Sequence, residues 1–579
     1  MKKRLLSTIL AASMVFSAVP TMVSADYEII EDDEFFDEFE DINAEVQLYY
    51  IYKDTGILYG YTGTDSELVI PPEIDGVAVK GIAYETFRDH TELKSVVIPD
   101  GVTSIGMRAF YGCTSLSEIT FPKTVTDFGE NAFAGTKWFT VQQKENPLVV
   151  VNNVVIDGKK CVGDVVIPDG IIGIGDGAFE KCHRYDEQDY WNGYYEPSNC
   201  DITSITLPDT LKKIGAWAFY EFNVFDITEI AIPDSVTFIG ESAFSGSSFK
   251  SINIPKNLTS VEQFAFCETD IESAIIPETV TSIGQSAFEG CYNLSEISVP
   301  DTVSAIGVDA FTGTKWMNDR IVENSLVILN GFLLDGRTCT GKVDIPADVK
   351  IICSAAFKSN KNITEVNIPD GVKGIECNAF EFCNSLETVN IAGSVETIGS
   401  LAFAVCPRLK DLTLGDGIKV IEDEAFRNCD TLQYMTIPKS VTKIGVDAIG
   451  CKINTETSNY NRLGNFTIYG YTGTDAERYA SEHKFTFIPI ENGMPDVDIT
   501  TTTIFDFSDR KGDANCDDTL NMADATLVMQ SLANPDKYGI NGTHETHITE
   551  QGIINADMDG NGLTNTDALK IQKIILRLS

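Results

Sequence analysis

Basic residues are scarce in this 579-residue chain, since 43 lysines and arginines stand against 86 aspartates and glutamates, a formal net charge of -43. Such a charge repels phosphate backbones and anionic lipids, so we expect no nucleic-acid partner. Only five histidines are present. Two of them, His544 and His547, lack the i, i+4 spacing that places two imidazoles on one helix face. An exposed polar turn explains that pair better than a metal site.

Long apolar runs are missing beyond the N-terminus, where Met1 to Arg4 carries positive charge and Leu5 to Val19 is apolar. With small residues up to Ala25, this order is typical of a secretory signal peptide at residues 1–25. A membrane span is the alternative, but the run is short and interrupted by serines and Pro20. We expect an exported protein with no membrane span. Residues 26–46 are strongly acidic and are interpreted as an extended, solvating segment.

Catalytic signatures are also lacking. The sequence has no Gly-x-Ser-x-Gly elbow, no Gly-Lys-Ser/Thr phosphate loop and no Cys-x-x-Cys pair. Acids recur at one position of a repeated motif, where turn chemistry explains them. They are Asp100, Asp169, Asp209, Asp234, Asp301 and Asp370. The carboxylate pair of a glycoside hydrolase is a spatial arrangement that sequence does not exclude, so an enzyme remains the minority interpretation.

A repeat fills the middle of the chain, and an Ala-Phe pair marks it. The marker phenylalanines are Phe110, Phe133, Phe179, Phe219, Phe244, Phe266, Phe288, Phe311, Phe357, Phe380, Phe403 and Phe426. The commonest step is that from Phe110 to Phe133. Two steps are twice as long, and we call them double steps. Each begins with Gly-Thr-Lys-Trp and contains a divergent turn. This period predicts a solenoid, mainly β, over residues 47–450, whose coils bury apolar side chains by stacking.

The consensus around Ile98 to Leu116 resembles the BspA-like leucine-rich repeats of bacterial surface proteins. That resemblance implies a leucine-rich repeat rod that binds or adheres. Beyond it, residues 466–485 have the pattern of strand, helix and strand. We therefore assign residues 451–491 to a C-terminal cap and the threonine-rich residues 492–509 to a linker.

Six cysteines lie three residues after a marker phenylalanine: Cys113, Cys182, Cys291, Cys383, Cys406 and Cys429. An exported protein would ordinarily use cysteines in disulfides. Stacked coils would instead place these six in an internal column, where a thiol packs as a small apolar group. The exception to consider is a pair between Cys182 and Cys200, because the two bracket a large insertion.

The insertion at residues 183–199 is rich in aromatic residues. They are Tyr185, Tyr190, Trp191, Tyr194 and Tyr195. Their flat apolar faces with polar edges suit sugar rings as well as protein surfaces. We predict a candidate ligand loop, with packing against the flank of the solenoid as the alternative.

The C-terminal seventy residues contain two oxygen-rich loops, each followed by a helical pattern. Calcium takes six to eight oxygen ligands, and alternate spacing lets a chain wrap one ion. The first loop offers Asp513, Asn515, Asp517, Thr519, Asn521 and Asp524. The second offers Asp557, Asp559, Asn561, Leu563 through its carbonyl, Asn565 and Asp567. We expect two Ca²⁺ ions, against the alternative of solvated turns.

The second loop is one residue shorter than the first, and Ala568 occupies its twelfth position. Either Asp567 coordinates from a tightened loop or a water replaces it, so the second site is expected to be the weaker one.

This loop-helix pair at residues 510–579 resembles the type I dockerin, which binds cohesin modules of a cellulosome scaffold. The resemblance implies a small all-α domain and a cohesin partner. It also places cohesin contacts at Met522 and Ala523 in the first copy and at Thr566 in the second. Because these residues differ between the copies, two interchangeable binding orientations are disfavoured.

These patterns together predict a secreted, cellulosome-attached protein. A calcium-dependent dockerin would bind cohesin, and a non-catalytic solenoid would bind a polysaccharide or a protein. An unrecognised carbohydrate-active hydrolase on the solenoid is the alternative. A protease inhibitor or host-adhesion module is the second alternative.

Overall fold

The computed structural model describes residues 48–182, 201–224, 227–453, 460–464, 466–490, 522–533 and 535–538, and the single residues 548, 556, 568 and 571. The chain divides into two compact units, Met1–Ile488 and Pro489–Ser579. Within the described ranges, no helix has both the length and the apolar character that a membrane crossing requires.

The first unit is a β solenoid, as predicted, in which each regular coil contributes two short parallel strands. Strands on the first side of the coils are Glu67–Val69, Ser95–Val97, Glu118–Thr120, Val162–Val166, Asp201–Thr206, Glu229–Ile230, Ser251–Ile252, Ser273–Ile275, Glu296–Ser298, Gly341–Asp344, Ile363–Ile368, Thr388–Ile391, Asp411–Thr413 and Tyr434–Thr436. Strands on the second side are Gly81–Ile82, Ser104–Ile105, Asp127–Phe128, Gly173–Ile174, Lys213–Ile214, Phe238–Ile239, Ser260–Val261, Ser282–Ile283, Ala305–Ile306, Ile351–Ile352, Gly374–Ile375, Thr397–Ile398, Val420–Ile421 and Lys443–Ile444.

After each second-side strand the chain turns a tight corner that carries the marker pair. Residues on both sides of the marker adopt positive φ, as at Arg108 (54°) and Gly112 (73°). Successive corners are hydrogen-bonded, since the Phe110 N–H donates to the carbonyl of Ala132 at 2.7 Å. Many corners begin with a glycine, since adjacent coils touch there. A Cβ on Gly129 would lie 2.2 Å from the backbone nitrogen of Met107.

The core is a ladder of marker phenylalanines, which are almost completely buried. Neighbouring rings stack with centroids 4.6 Å apart at Phe357 and Phe380 and 4.9 Å apart at Phe380 and Phe403. Each ring therefore buries its face against the next coil and makes adjacent coils depend on each other.

The predicted internal column of cysteines is confirmed. Cys406 and Cys429 are buried, and each thiol donates to a phenylalanine carbonyl of the preceding coil, that of Phe380 or Phe403, at 3.2 Å. The thiol thus satisfies a buried carbonyl while it fills the core. The suggested pairing of Cys182 with Cys200 involves a residue outside the described ranges, and it stays a prediction.

Each double step contains a capped helix followed by a β-hairpin, which we call a helix–hairpin unit. The first unit has α1 (Lys137–Glu145) and strands Val149–Val151 and Val154–Asp157, and the second has α2 (Lys315–Glu323) and strands Val327–Leu329 and Phe332–Asp335. Both hairpins close through two residues at positive φ, Asn152-Asn153 and Asn330-Gly331. Positive φ at both central residues is the requirement of a type I′ turn. The second strand of each hairpin then continues the parallel stack.

The ends of the solenoid carry the remaining strands. The first end has strands Tyr49–Tyr52, Ile57–Tyr61, Glu73–Ile74 and Val77–Ala78. The last coil is followed by strands Cys451–Ile453 and Tyr460–Arg462, then Thr467–Gly470, helix α3 (Asp475–His483) and Thr486–Pro489. The predicted order of strand, helix and strand is therefore observed, although the second strand begins at Thr486, just beyond the predicted residues 466–485. Buried Tyr479 hydrogen-bonds both backbone groups of Ile449 at 3.0 Å, which attaches α3 to the last coil.

The second unit contains α4 (Met522–Ala533) and a short helix α5 (Pro535–Tyr538) among its described residues. The all-α fold expected for residues 510–579 is otherwise a prediction. Helix α4 ends at Ala533.

Candidate functional site

Most of the predicted calcium ligands lie outside the described residues, as does the cohesin contact Thr566. Of the predicted ligands in the first loop, only Asp524 is described, and it belongs to α4 together with Met522 and Ala523. The structure thus places the last acid of the loop in the first turn of a helix. Whether the loops bind calcium stays a prediction.

The described residues nevertheless indicate that the two loop-helix copies are related. The buried apolar residues of this unit form one cluster: Ala525, Leu527, Val528, Ile548, Ala556, Ala568 and Ile571. Ala525 and Ala568 each directly follow the last acid of their predicted loop, and Val528 and Ile571 each lie three residues further on. Equivalent positions of the two copies are therefore buried in the same core, as expected if Asp567 corresponds to Asp524.

The aromatic residues of the candidate ligand loop also lie outside the described ranges. The structure describes its flanks, which are the buried Cys182 and the strand Asp201–Thr206. The role of the loop stays a prediction.

The described part of the solenoid has a cleft on the corner edge next to the first helix–hairpin unit. We call it the carboxylate cleft. It is lined by Glu130, Glu180, Trp217, Tyr220, Glu241, Ser242, Ser245 and Phe264.

The cleft exists because the helix–hairpin unit lacks the corner that a regular coil would have. The coil before the unit and the coil after it therefore meet directly at this edge. The Asp176 N–H donates to the carbonyl of Phe128 at 3.0 Å. A Cβ on Gly177 would lie 2.5 Å from the Cγ of Glu130. Carboxylates that are distant in sequence thus become neighbours.

Burial and mutual proximity perturb these acids. Desolvation, and then the charge of the neighbouring Glu180, raise the pKa of Glu130. Desolvation, and then the charge of Asp127, raise the pKa of Asp176 to about 7, although Lys213 opposes this shift. Lys213 Nζ lies 2.6 Å from Asp127 Oδ1.

This arrangement can bind a polyol. Carboxyl groups accept hydrogen bonds from hydroxyls, and half-buried Trp217 and Tyr220 offer aromatic surface beside them. A carboxyl group with a raised pKa, such as that of Glu130, can also act as a general acid.

Sequence reasoning did not single out Glu130, Asp176 or Glu180. Glu130 and Asp176 occupy equivalent corner positions, three residues before Phe133 and Phe179, so a coil-by-coil alignment would have paired them, and Glu180 directly follows Phe179. The Asn152-Asn153 and Asn330-Gly331 turns were the signal that each double step contains a hairpin. The acids that recur at one position of the repeated motif, such as Asp100 and Asp301, are by contrast exposed turn residues, as predicted. One of them, Asp234, has its pKa lowered by a hydrogen bond from Lys256.

Comparison with known proteins identifies the repeat. Residues 80–196, 193–318 and 336–454 match the BspA type leucine rich repeat region, in six copies, and together they are more than half of the chain. The chain belongs to the BspA type leucine-rich repeat family.

Solved structures of leucine-rich repeat proteins resemble the chain at low identity. A Bacteroides ovatus protein of this kind is 19% identical, with 78% of this chain and 100% of that chain covered and a TM-score of 0.29. A leucine rich cell surface protein from Faecalibacterium prausnitzii is 21% identical, with 77% and 93% covered and a TM-score of 0.26.

Two further matches are short and much more similar. A curated xylanase/beta-glucanase of Ruminococcus flavefaciens is 52% identical over 68 residues, which is 11% of this chain. The chain spans only 8% of the length of that relative. A chain from the complex of the third ScaB cohesin of R. flavefaciens with a group 1 dockerin is 55% identical, covering 12% of this chain and 87% of that chain, with a TM-score of 0.11.

Proposed function

We propose that the protein is a cellulosome component whose residues 510–579 bind a cohesin in the presence of calcium and whose solenoid binds a ligand without catalysis. The 52% identity over 68 residues to a plant-polysaccharide hydrolase carries this proposal. The matched length is close to that of the predicted dockerin. An enzyme and a repeat protein that share little else would share a segment of this kind if it attaches both to one scaffold.

Three further observations support docking. The sequence offers two oxygen-rich loops, the described helix α4 follows the first loop, and equivalent residues of both copies share one core. The 55% identity to a chain of a cohesin–dockerin complex also supports docking. Export through the predicted signal peptide at residues 1–25 and an extracellular location are part of the proposal, because a scaffold-bound polysaccharide-degrading assembly works outside the cell.

The test of docking is calorimetric titration of the mature chain with the third ScaB cohesin of R. flavefaciens, in calcium and in chelator. We expect saturable binding only in calcium, because folding of the loops is coupled to ion binding. The double variant Asp513→Ala/Asp524→Ala should lose affinity. Its matched control, Asp100→Ala/Asp301→Ala, removes two exposed acids of the solenoid and should bind normally.

Unchanged binding of the loop variant in chelator would refute the calcium mechanism. Absence of binding to this cohesin, followed by binding to another cohesin in calcium, would change only the identity of the partner. Failure with every cohesin in a panel would overturn the docking proposal.

For the solenoid, we propose a polysaccharide ligand bound at the carboxylate cleft, with the aromatic insertion as a second contact. The cleft combines carboxyl groups with two aromatic side chains, Trp217 and Tyr220. Retention of the mature chain on insoluble plant polysaccharides tests this. Glu130→Gln/Trp217→Ala should weaken retention, and Trp191→Ala/Tyr194→Ala should weaken it independently. Val322→Ala, at a side chain 88% exposed on α2, is the control.

A hydrolase is the second candidate, because its raised pKa suits the carboxyl group of Glu130 to general acid catalysis, with Glu180 as a second carboxyl group in the same cleft. Release of reducing sugar that Glu180→Gln abolishes would favour this candidate. Retention without sugar release favours the non-catalytic proposal. Neither signal would point to a protein ligand, as for an inhibitor or adhesion module.

A further inference from the structure

The last coil and the cap bring together three side chains that can bind a metal ion. They are Asp447, Cys451 and His483, and their ligand atoms all lie within 4.8 Å of one another. Asp447 and Cys451 belong to the end of the last coil, and His483 is the last residue of helix α3. This cluster is in the solenoid unit and is independent of the predicted calcium loops.

The histidine is already oriented as a metal ligand would be. Its Nδ1 lies 3.0 Å from the carbonyl oxygen of Tyr479. Because a carbonyl only accepts, Nδ1 carries the hydrogen, and the lone pair of Nε2 is free to coordinate. A hydrogen bond of this kind from the second nitrogen is usual for metal-binding histidines. The ring is further fixed by stacking on Tyr479, with centroids 4.0 Å apart, and on Phe485 at 6.0 Å.

The distances suit a small ion. Tetrahedral zinc with ligand bonds of 2.0 to 2.3 Å separates its ligand atoms by about 3.5 Å. His483 Nε2 and Asp447 Oδ1 are already 3.6 Å apart. This distance is too long for a hydrogen bond but close to the separation across a zinc ion.

The chemistry of the three ligands also favours zinc. Sulfur, imidazole and carboxylate together select zinc over calcium or magnesium, which prefer oxygen alone. One thiolate and one carboxylate neutralise a divalent ion. Cys451 is buried, whereas the side chains of Asp447 and His483 are about one-fifth exposed. An ion can therefore enter from the side of these two residues, and a water can occupy the fourth position.

A bound zinc ion would hold Cys451 as the thiolate, because a coordinating thiol is deprotonated.

We propose that Asp447, Cys451 and His483 form a zinc site that joins the last coil of the solenoid to helix α3 of the cap. The ion would link residues 36 positions apart in the sequence and so hold the cap on the open end of the repeat stack. Since zinc would bind the folded cap and not the unfolded chain, it would stabilise this end of the protein.

The test uses the full mature chain, reduced, with calcium in excess so that the calcium loops are occupied. Equilibrium dialysis against micromolar zinc should give one tightly bound ion per chain. Cobalt in place of zinc should produce thiolate-to-cobalt charge-transfer absorption. Both signals should be lost in Cys451→Ser and in His483→Gln. The control His544→Gln/His547→Gln should keep both.

Circular dichroism distinguishes lost binding from lost folding. If Cys451→Ser does not fold, Asp447→Asn and His483→Gln decide the question. Zinc should also raise the Tm of the wild-type chain and leave that of His483→Gln unchanged. A wild-type chain that binds no zinc would overturn the proposal. So would thiolate-cobalt absorption that survives in Cys451→Ser, or zinc binding that only the His544/His547 variant abolishes.

Discussion

The two helix–hairpin units have the same architecture and different chemistry at their edges. Both begin with a threonine-capped helix, continue with a type I′ hairpin and end with a glycine against a phenylalanine ring. At the first unit, the coils on either side contribute Glu130, Asp176 and Glu180. The equivalent positions at the second unit are Val308, Ser354 and Lys358.

The fold therefore requires the unit but not the acids. The row of corners is interrupted wherever a helix–hairpin unit replaces a regular coil, because the unit has no corner of its own. Glu180 lies 3.3 Å from Lys181 Nζ, and partial burial of the other two carboxyl groups is costly. Their presence at only one of the two units is the reason for proposing a ligand at the carboxylate cleft.

The largest effect that tests this comparison is expected from the phenylalanines next to the units. Phe179→Ala and Phe357→Ala should each lower the free energy of unfolding by about 3–5 kcal/mol, since each removes a fully buried ring from the ladder. Urea unfolding followed by tryptophan fluorescence measures this loss. If one substitution cost less than half as much as the other, the two units would not be equivalent.

The next largest effect is a pH dependence of the free energy of unfolding, which Asp176 should give to the first unit alone. The pKa of Asp176 is about 7 in the folded protein and lower when unfolded, so folded Asp176 keeps a proton that the unfolded chain releases. The stability contribution is present at low pH and is lost as pH rises from about 4 to about 7, by about 1.4 kcal/mol per pH unit at most. Asp176→Asn should remove this part of the pH dependence.

Denaturant unfolding at several pH values measures the difference between wild type and Asp176→Asn. The control is Asp169→Asn, an exposed acid of the same coil, which makes the same change of charge. Equal pH slopes for wild type and Asp176→Asn would show that this carboxyl titrates normally.

The glycines that face the ladder should give matched, smaller effects. A Cβ on Gly158 would lie 2.1 Å from Phe179, and a Cβ on Gly336 would lie 2.2 Å from Phe357. Gly158→Ala and Gly336→Ala should each cost about 1–3 kcal/mol through overpacking. Adding Phe357→Leu to Gly336→Ala should recover part of the loss in the same unfolding assay. If the changes in unfolding free energy caused by Gly336→Ala and Phe357→Leu simply add, the predicted contact between these two positions is contradicted.

The smallest effect is expected at the helix caps. Thr136 and Thr314 are buried, and each hydroxyl accepts from the N–H three residues ahead at 3.0 Å. Thr136→Ala and Thr314→Ala should each cost about 1 kcal/mol. Serine at either position keeps the hydroxyl and should cost less, measured by the change in Tm. A cost for serine equal to that for alanine would assign the effect to the lost methyl group instead.

The sequence by itself determined the solenoid, because a repeated core position has only one way to be buried when coils stack. The marker phenylalanines and the cysteines three residues later predict the stacked ladder and the thiol column. The local sequence pattern also predicts the strand, helix and strand that follow the last coil. The family resemblance depended on the same residues.

Tertiary structure alone decided where chemistry-bearing side chains meet. Glu130 and Glu180 become neighbours because a helix–hairpin unit lies between them in the sequence and lacks a corner in space. Cys451 and His483 meet because the cap folds back onto the last coil. Local propensity contains no information on such contacts, since the distance between two side chains depends on how the intervening chain is packed.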